Sequence, residues 1–112
     1  MYNAIDICKA FGDDTRMQIM QLLNASEQLC VCELTTALDL SQPKISRHLT
    51  TLKNAGLVDC ERKGQWMFYK VSAAAPAWVD TMLHEQNSAF GPALMRANAR
   101  LNAMVSRPER CC

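Results

Sequence analysis

Apolar positions recur every three or four residues along most of this chain and change to a two-residue period in one stretch near its middle. Ile5, Cys8 and Phe11 mark a short first helix that ends near Gly12. The acidic and capping side chains of Asp13, Asp14 and Thr15 introduce a second, in which Met17, Ile19, Met20, Leu22 and Leu23 keep helical spacing until Asn24, Ala25 and Ser26 interrupt it. Leu34, Ala37 and Leu38 line one side of a third helix that starts between Val31 and Glu33. After the tight connection Asp39-Leu40-Ser41, a fourth helix repeats Ile45, Leu49 and Leu52 at i, i+4 and i+7. Ser41 suits its N-cap, Pro43 its first turn, and Gly56 the left-handed residue past its end.

The period shortens after Gly56. Residues 57–62 and 66–71 are rich in strand formers and flank Lys63-Gly64-Gln65, predicting a β-hairpin with a basic tip. Helical spacing returns after Pro76 with Trp78, Met82 and Leu83; Gly91-Pro92 should bend it before Leu94, Ala97, Leu101 and Met104. Two short helices, a tight turn and a hairpin are the order of a winged helix-turn-helix. The expected fold is therefore mainly α with a β-hairpin wing, in one domain over residues 1–106, followed by a cysteine-containing tail over 107–112.

With 112 residues, 49% of them hydrophobic, one core is feasible and two domains are not. The apolar runs are too short to span a bilayer and the N-terminus lacks a secretory pattern, so a cytoplasmic protein without membrane partners is expected. A net charge of +1 conceals an uneven distribution. Residues 1–40 carry two basic side chains against six acidic ones, and residues 41–70 carry six basic against two acidic. That basic middle third suits a localised polyanion site. On the fourth helix, capped by Ser41, the polar face offers Gln42, Lys44, Ser46 and Arg47 for base edges in a major groove, with His48 and Thr51 for phosphate or sugar. Arg62, Lys63 and Gln65 at the hairpin tip would touch the adjacent backbone or minor groove. The chain holds no paired carboxylate site, nucleophile-base pair or phosphate-binding glycine loop, so a binding protein is expected rather than an enzyme.

Six cysteines in a reducing compartment point to free thiols. Cys8 and Cys60 also read as small buried hydrophobes. Cys30-x-Cys32 is the pair suited to a soft, thiophilic guest, trivalent arsenic or antimony preferring up to three sulfurs. Residues i and i+2 of a regular helix point about 200° apart, so a shared guest is expected to deform the start of the third helix and thereby shift the reading helix packed on it. A thiol-disulfide switch is the alternative chemistry for the same pair.

The stretches Ala10-Phe11-Gly12-Asp13-Asp14-Thr15-Arg16, Glu27-Gln28-Leu29-Cys30-Val31-Cys32-Glu33-Leu34 and Ser41-Gln42-Pro43-Lys44-Ile45-Ser46-Arg47-His48-Leu49 resemble successive signatures of the ArsR/SmtB family, in particular its arsenic-responsive repressors. The resemblance covers about residues 5 to 80. It implies a homodimeric repressor that binds an inverted-repeat operator and dissociates when arsenite or antimonite binds, with Ile5, Phe11, Trp78 and Met82 in the dimer interface. It also exposes a departure. The enteric type has a third cysteine where this chain has Thr35, so a third sulfur would come from Cys111 and Cys112 or from Cys8. The latter is similar to the cadmium/lead repressors of the family, which pair Cys-x-Cys with N-terminal cysteines. The Asp-x-His pattern of the zinc-responsive members is missing, since Asp80 and His84 stand at the wrong spacing.

Overall fold

Three of the helices each begin where a side chain accepts an otherwise unpaired backbone N–H. Asn3 Oδ1 accepts from Ile5 and Asp6 at the start of α1 (Ala4–Phe11), and Asp13 accepts from Arg16 at the start of α2 (Asp14–Ala25). Ser41 accepts from Lys44 at the start of α4 (Gln42–Asn54). These features belong to a computed structural model that describes residues 3–104, so the tail expected over 107–112, with Cys111 and Cys112, lies outside the described residues.

Between α2 and α4 lie β1 (Leu29–Cys30) and α3 (Val31–Leu38), and after α4 come β2 (Val58–Lys63) and β3 (Trp66–Val71). The chain then forms α5 (Ala77–Gln86), a 3-10 turn (Asn87–Phe90) and α6 (Gly91–Asn102), interrupted near Gly91-Pro92 as expected. The fold is a winged helix-turn-helix in which the α3-α4 pair precedes an antiparallel hairpin. Gly64 has φ +63° at the first of the two turn residues, the pattern of a type II′ connection.

The apolar stripe of α4 is buried as predicted, with Ile45, Leu49 and Leu52 packed against Leu22, Leu34 and Leu57 in one cluster. Gly56 closes α4 in the left-handed conformation, φ +79°, while its N–H and that of Leu57 donate to Lys53 O and Leu52 O at 3.0 Å. Two side chains tie the outer helices to this frame. Gln21 Nε2 donates to Leu83 O at 2.8 Å, and Arg100 donates to Ala37 O at 2.9 Å, satisfying a carbonyl in the last turn of α3.

The structure differs from the sequence reading on two points. Helix α1 buries Ile7 and Ala10, whereas Ile5 is 66% exposed and Cys8 is exposed. The sheet also has a third strand: β1 pairs with β3 in the register Leu29↔Tyr69 and Cys30↔Phe68. A two-residue strand has no period to read, and its partner lies some 40 residues away in the chain, so only the folded pairing reveals it.

Asp39 ends α3 in the left-handed region, φ +54° and ψ +47°. A side chain with a Cβ is strained there, and a carboxylate opposes the helix dipole at this end. Asp39→Gly is therefore expected to raise stability by about 1 kcal/mol, read as a higher urea midpoint with an unchanged slope; a lower midpoint would contradict this.

Candidate nucleic-acid interface and thiol cleft

Helix α4 presents its polar face outward because Ile45, Leu49 and Leu52 hold the opposite face in the core. Successive residues turn by about 100°, which places Pro43, Arg47 and Thr50, with Asn54 at the helix end, on the side away from that core stripe. All four are exposed, as are Ser41, Gln42, Lys44 and Thr51. Thr50 escaped the sequence reading although it sits one turn after Arg47. Gln42 Nε2 donates to Ser46 Oγ at 3.1 Å, so these two lie together on the flank nearer the wing. Thr51 Oγ1 donates back to Arg47 O at 3.2 Å.

His48 lies on the other flank, half-buried, with Nδ1 at 3.2 Å from Arg16 Nη1. A guanidinium has only donors, so Nδ1 accepts and Nε2 carries the hydrogen outward. Arg16 is itself held by Ala10 O at 2.6 Å and Lys9 O at 3.4 Å. Burial alone would raise the Asp13 carboxyl beside it, but the hydrogen bond from the Arg16 backbone N–H and the Arg16 charge outweigh that and hold it below its usual value. The sequence marked His48 as a contact but gave no hint that Arg16 would orient it.

On the wing, Arg62, Lys63 and Gln65 are exposed. Lys63 is not wholly free: Nζ donates to Gln28 Oε1 at 3.2 Å and lies 5.3 Å from the centre of the Phe68 ring. Lys53 Nζ donates to Cys60 Sγ at 3.2 Å, joining the last turn of α4 to β2 and supporting a structural role for Cys60.

The thiol pair overturns one expectation. Cys30 is the N-cap of α3 with extended backbone, φ −87° and ψ 168°, and Cys32 is the second residue inside the helix. The 200° separation therefore does not apply, and the two sulfurs converge to 2.8 Å. Two sulfurs sharing one atom by bonds of roughly 2.3 Å stand about 3.3–3.8 Å apart, so a shared guest requires a displacement of only about 1 Å rather than an unwound helix. Cys30 and Glu33 form a capping box, the buried Glu33 carboxylate accepting the Cys30 N–H at 3.0 Å. Cys30 is 1% exposed and Cys32 half-buried. Burial first, and then the hydrogen bond with Cys32, push the Cys30 thiol up to about 12.

The pair opens on a cleft of about 410 Å³ whose walls include Thr35, Gln42, Gln65, Trp66 and Met67. The thiols thus lie between the first residue of the reading helix and the tip of the wing. Thr35 Oγ1 donates to Cys32 O at 2.8 Å, which occupies the hydroxyl hydrogen that stands in the place of a third cysteine. Among the described residues, no third His, Cys, Asp or Glu joins the pair in a metal-binding group, so Cys8 is not brought to it within the protomer. Among the described residues, the Trp66 indole N–H is the buried side-chain group left without a hydrogen-bond partner.

A capped reading helix, a basic hairpin beside it and an apolar frame behind define a winged helix-turn-helix regulator that binds DNA. The model for the "Bacterial regulatory protein, arsR family" matches residues 13–59, from the α2 N-cap into β2. The Pseudomonas putida protein named "Arsenic resistance transcriptional regulator ArsR1" is 46% identical over 103 residues, 92% of this chain and 80% of that protein. The chain belongs to the arsR family of bacterial regulatory proteins, which are transcription regulators and not enzymes. HlyU from Vibrio cholerae has a similar structure, with TM-score 0.69 and 32% identity over 78% of this chain and 90% of that one. So does Mb0332 from Mycobacterium bovis, described as a homodimeric winged helix-turn-helix domain, with TM-score 0.65 and 25% identity over 81% of each chain. No helix among the described residues is long and apolar enough to cross a membrane.

Proposed function

We propose that this protein is a repressor that grips an inverted-repeat operator in double-stranded DNA as a homodimer and releases it when arsenite or antimonite binds Cys30 and Cys32. The convergence of those sulfurs at 2.8 Å, in a cleft walled by the reading helix and the wing, carries the reading. Soft thiolates suit trivalent arsenic and antimony, and the Pseudomonas putida relative is named for arsenic resistance. Dimerisation is supported by apolar side chains left uncovered on α1, α5 and α6, with Ile5 66%, Trp78 41% and Met95 75% exposed. Met82 is half-buried beside them, while Phe11 packs mainly on the protomer's own core. Two-fold symmetry in the protein matches an inverted repeat in the operator.

Ser41, Gln42, Lys44, Ser46 and Arg47 are assigned to the major groove, His48 and Thr51 to its phosphate edge, and Arg62, Lys63 and Gln65 to the neighbouring backbone. Arg47→Ala is expected to weaken operator binding at least ten-fold and to flatten its dependence on salt. Equal loss on random duplex, with no change in discrimination, would remove Arg47 from base reading.

Release follows from position. Gln42 and Gln65 line the thiol cleft and are assigned to DNA, so a guest held by the two sulfurs competes with the groove-bound arrangement of helix and wing. Pairing of Cys30 with Phe68 gives the cysteine a second route to the wing. The opposition is a coupling free energy, typically about 1–3 kcal/mol. The testing experiment titrates arsenite into the operator complex while thiols are counted; release without loss of two thiols would reject the reading.

Arsenic has three bonds to satisfy, and Cys111 and Cys112 are assigned as the source of the third sulfur. Met104 lines a recess that shares Thr35 with the cleft, and the seven residues from there to Cys111 span up to about 24 Å when extended. Replacing both tail cysteines by serine is expected to raise the arsenite needed for release several-fold. An unchanged response would leave the third bond to oxygen.

A further inference from the structure

The thiol cleft contains a feature that neither the cysteines nor the DNA contacts use. Trp66 lines it, on the same face of β3 as buried Phe68, and its Nε1–H is buried with no acceptor. A buried donor without an acceptor is costly and rare, so an acceptor arriving at this point gains more than one arriving at a solvated surface. An oxygen on the guest is such an acceptor; a carbon or a sulfur is absent from the class of strong acceptors.

We propose that Trp66 is a ligand-binding residue of the thiol cleft, its indole N–H donating to the hydroxyl that arsenite retains in the two-sulfur complex with Cys30 and Cys32, before a tail sulfur replaces it. The inference rests on the reading that this pair binds trivalent arsenic. The chemistry balances without an oxidant: As(OH)3 and two thiols give two As–S bonds, one remaining As–OH and two molecules of water. The two thiol hydrogens leave in that water together with two of the three arsenic hydroxyls. The third hydroxyl then stands in the cleft. Of the other polar side chains there, Thr35 Oγ1 and Gln42 Nε2 already donate to Cys32 O and Ser46 Oγ and Gln65 is exposed, whereas the Trp66 N–H is buried without a partner. Because Trp66 opens β3 and pairs with Lys63, its engagement reaches the basic wing directly.

Methylarsonous acid, CH3As(OH)2, is the informative comparison. It exchanges both its hydroxyls with the same two thiols and puts a methyl group of similar size where arsenite keeps oxygen. The experiment uses the full chain with Cys111→Ser and Cys112→Ser, so that only the cleft pair is engaged, and measures affinity for both arsenicals by calorimetry with thiols counted. Trp66→Phe, which keeps an apolar ring and removes the N–H, is expected to weaken arsenite about ten-fold, the worth of one hydrogen bond, and to leave methylarsonous acid unchanged. Unchanged arsenite affinity, or an equal loss for both, would overturn the proposal, the latter because it reports a disturbed cleft. Failure of arsenite to consume two thiols in the Trp66-containing chain is a different result, and it would bring down the underlying reading of Cys30 and Cys32.

Discussion

Cys30→Ser and Cys32→Ser are each expected to hold the operator at arsenite concentrations on the order of a hundred-fold above those that strip the wild-type protein, because one sulfur cannot chelate. Two tethered thiols make the second As–S bond an intramolecular event, and their 2.8 Å separation means little motion precedes it. Removing either one leaves the cleft a single As–S bond, and a second must then come from the tail, seven residues beyond Met104, rather than from a thiol 2.8 Å away. The two variants differ in a useful way. Serine is an ordinary N-cap residue, so Cys30→Ser keeps the capping box with Glu33 and should leave α3 at least as stable as before. Cys32 makes no cap, so its replacement tests the sulfur alone. A fluorescence-anisotropy titration of labelled operator checks both; release of either variant at the wild-type arsenite concentration would disprove chelation by this pair.

The legible parts of the fold were those with a period or a cap. The stripe Ile45, Leu49 and Leu52, the Ser41 cap and the Gly56 stop fix α4 by local physics, and the hairpin follows from β-formers around Gly64. What escaped was long-range or depended on a helix boundary. Strand β1 exists because Leu29 and Cys30 meet Tyr69 and Phe68, a pairing no local window contains. One residue of boundary decided the chemistry of the site: with Cys30 inside α3 its sulfur would point away from Cys32, and as N-cap it points toward it. Trp66 looked like a strand former, and only the packed structure separates its apolar ring from its orphaned N–H. The Arg16-His48 contact likewise joins helices 32 positions apart.

The buried Cys30 thiol also predicts which guests the site favours, through pH. Its pKa, raised by burial and by Cys32 to about 12, means the free site holds a proton on this sulfur throughout the neutral range. A divalent cation such as cadmium or lead must displace that proton, so its affinity should rise about ten-fold per pH unit from Cys30 alone, or roughly a hundred-fold between pH 6.5 and 8.5. Arsenite behaves differently, because each thiol hydrogen leaves in water with an arsenic hydroxyl and no proton is released. Its affinity should stay nearly flat over the same interval. The sign follows directly: a raised thiol pKa penalises only guests that require the thiolate in exchange for a free proton, and the penalty shrinks as pH rises. At neutral pH the burial of Cys30 is therefore expected to favour arsenite and antimonite over cadmium and lead. Calorimetry at three pH values, in buffers of different ionisation heat, counts the protons released. A cadmium affinity that stays flat over this range would mean that Cys30 is already ionised, and would remove burial as the basis of selection.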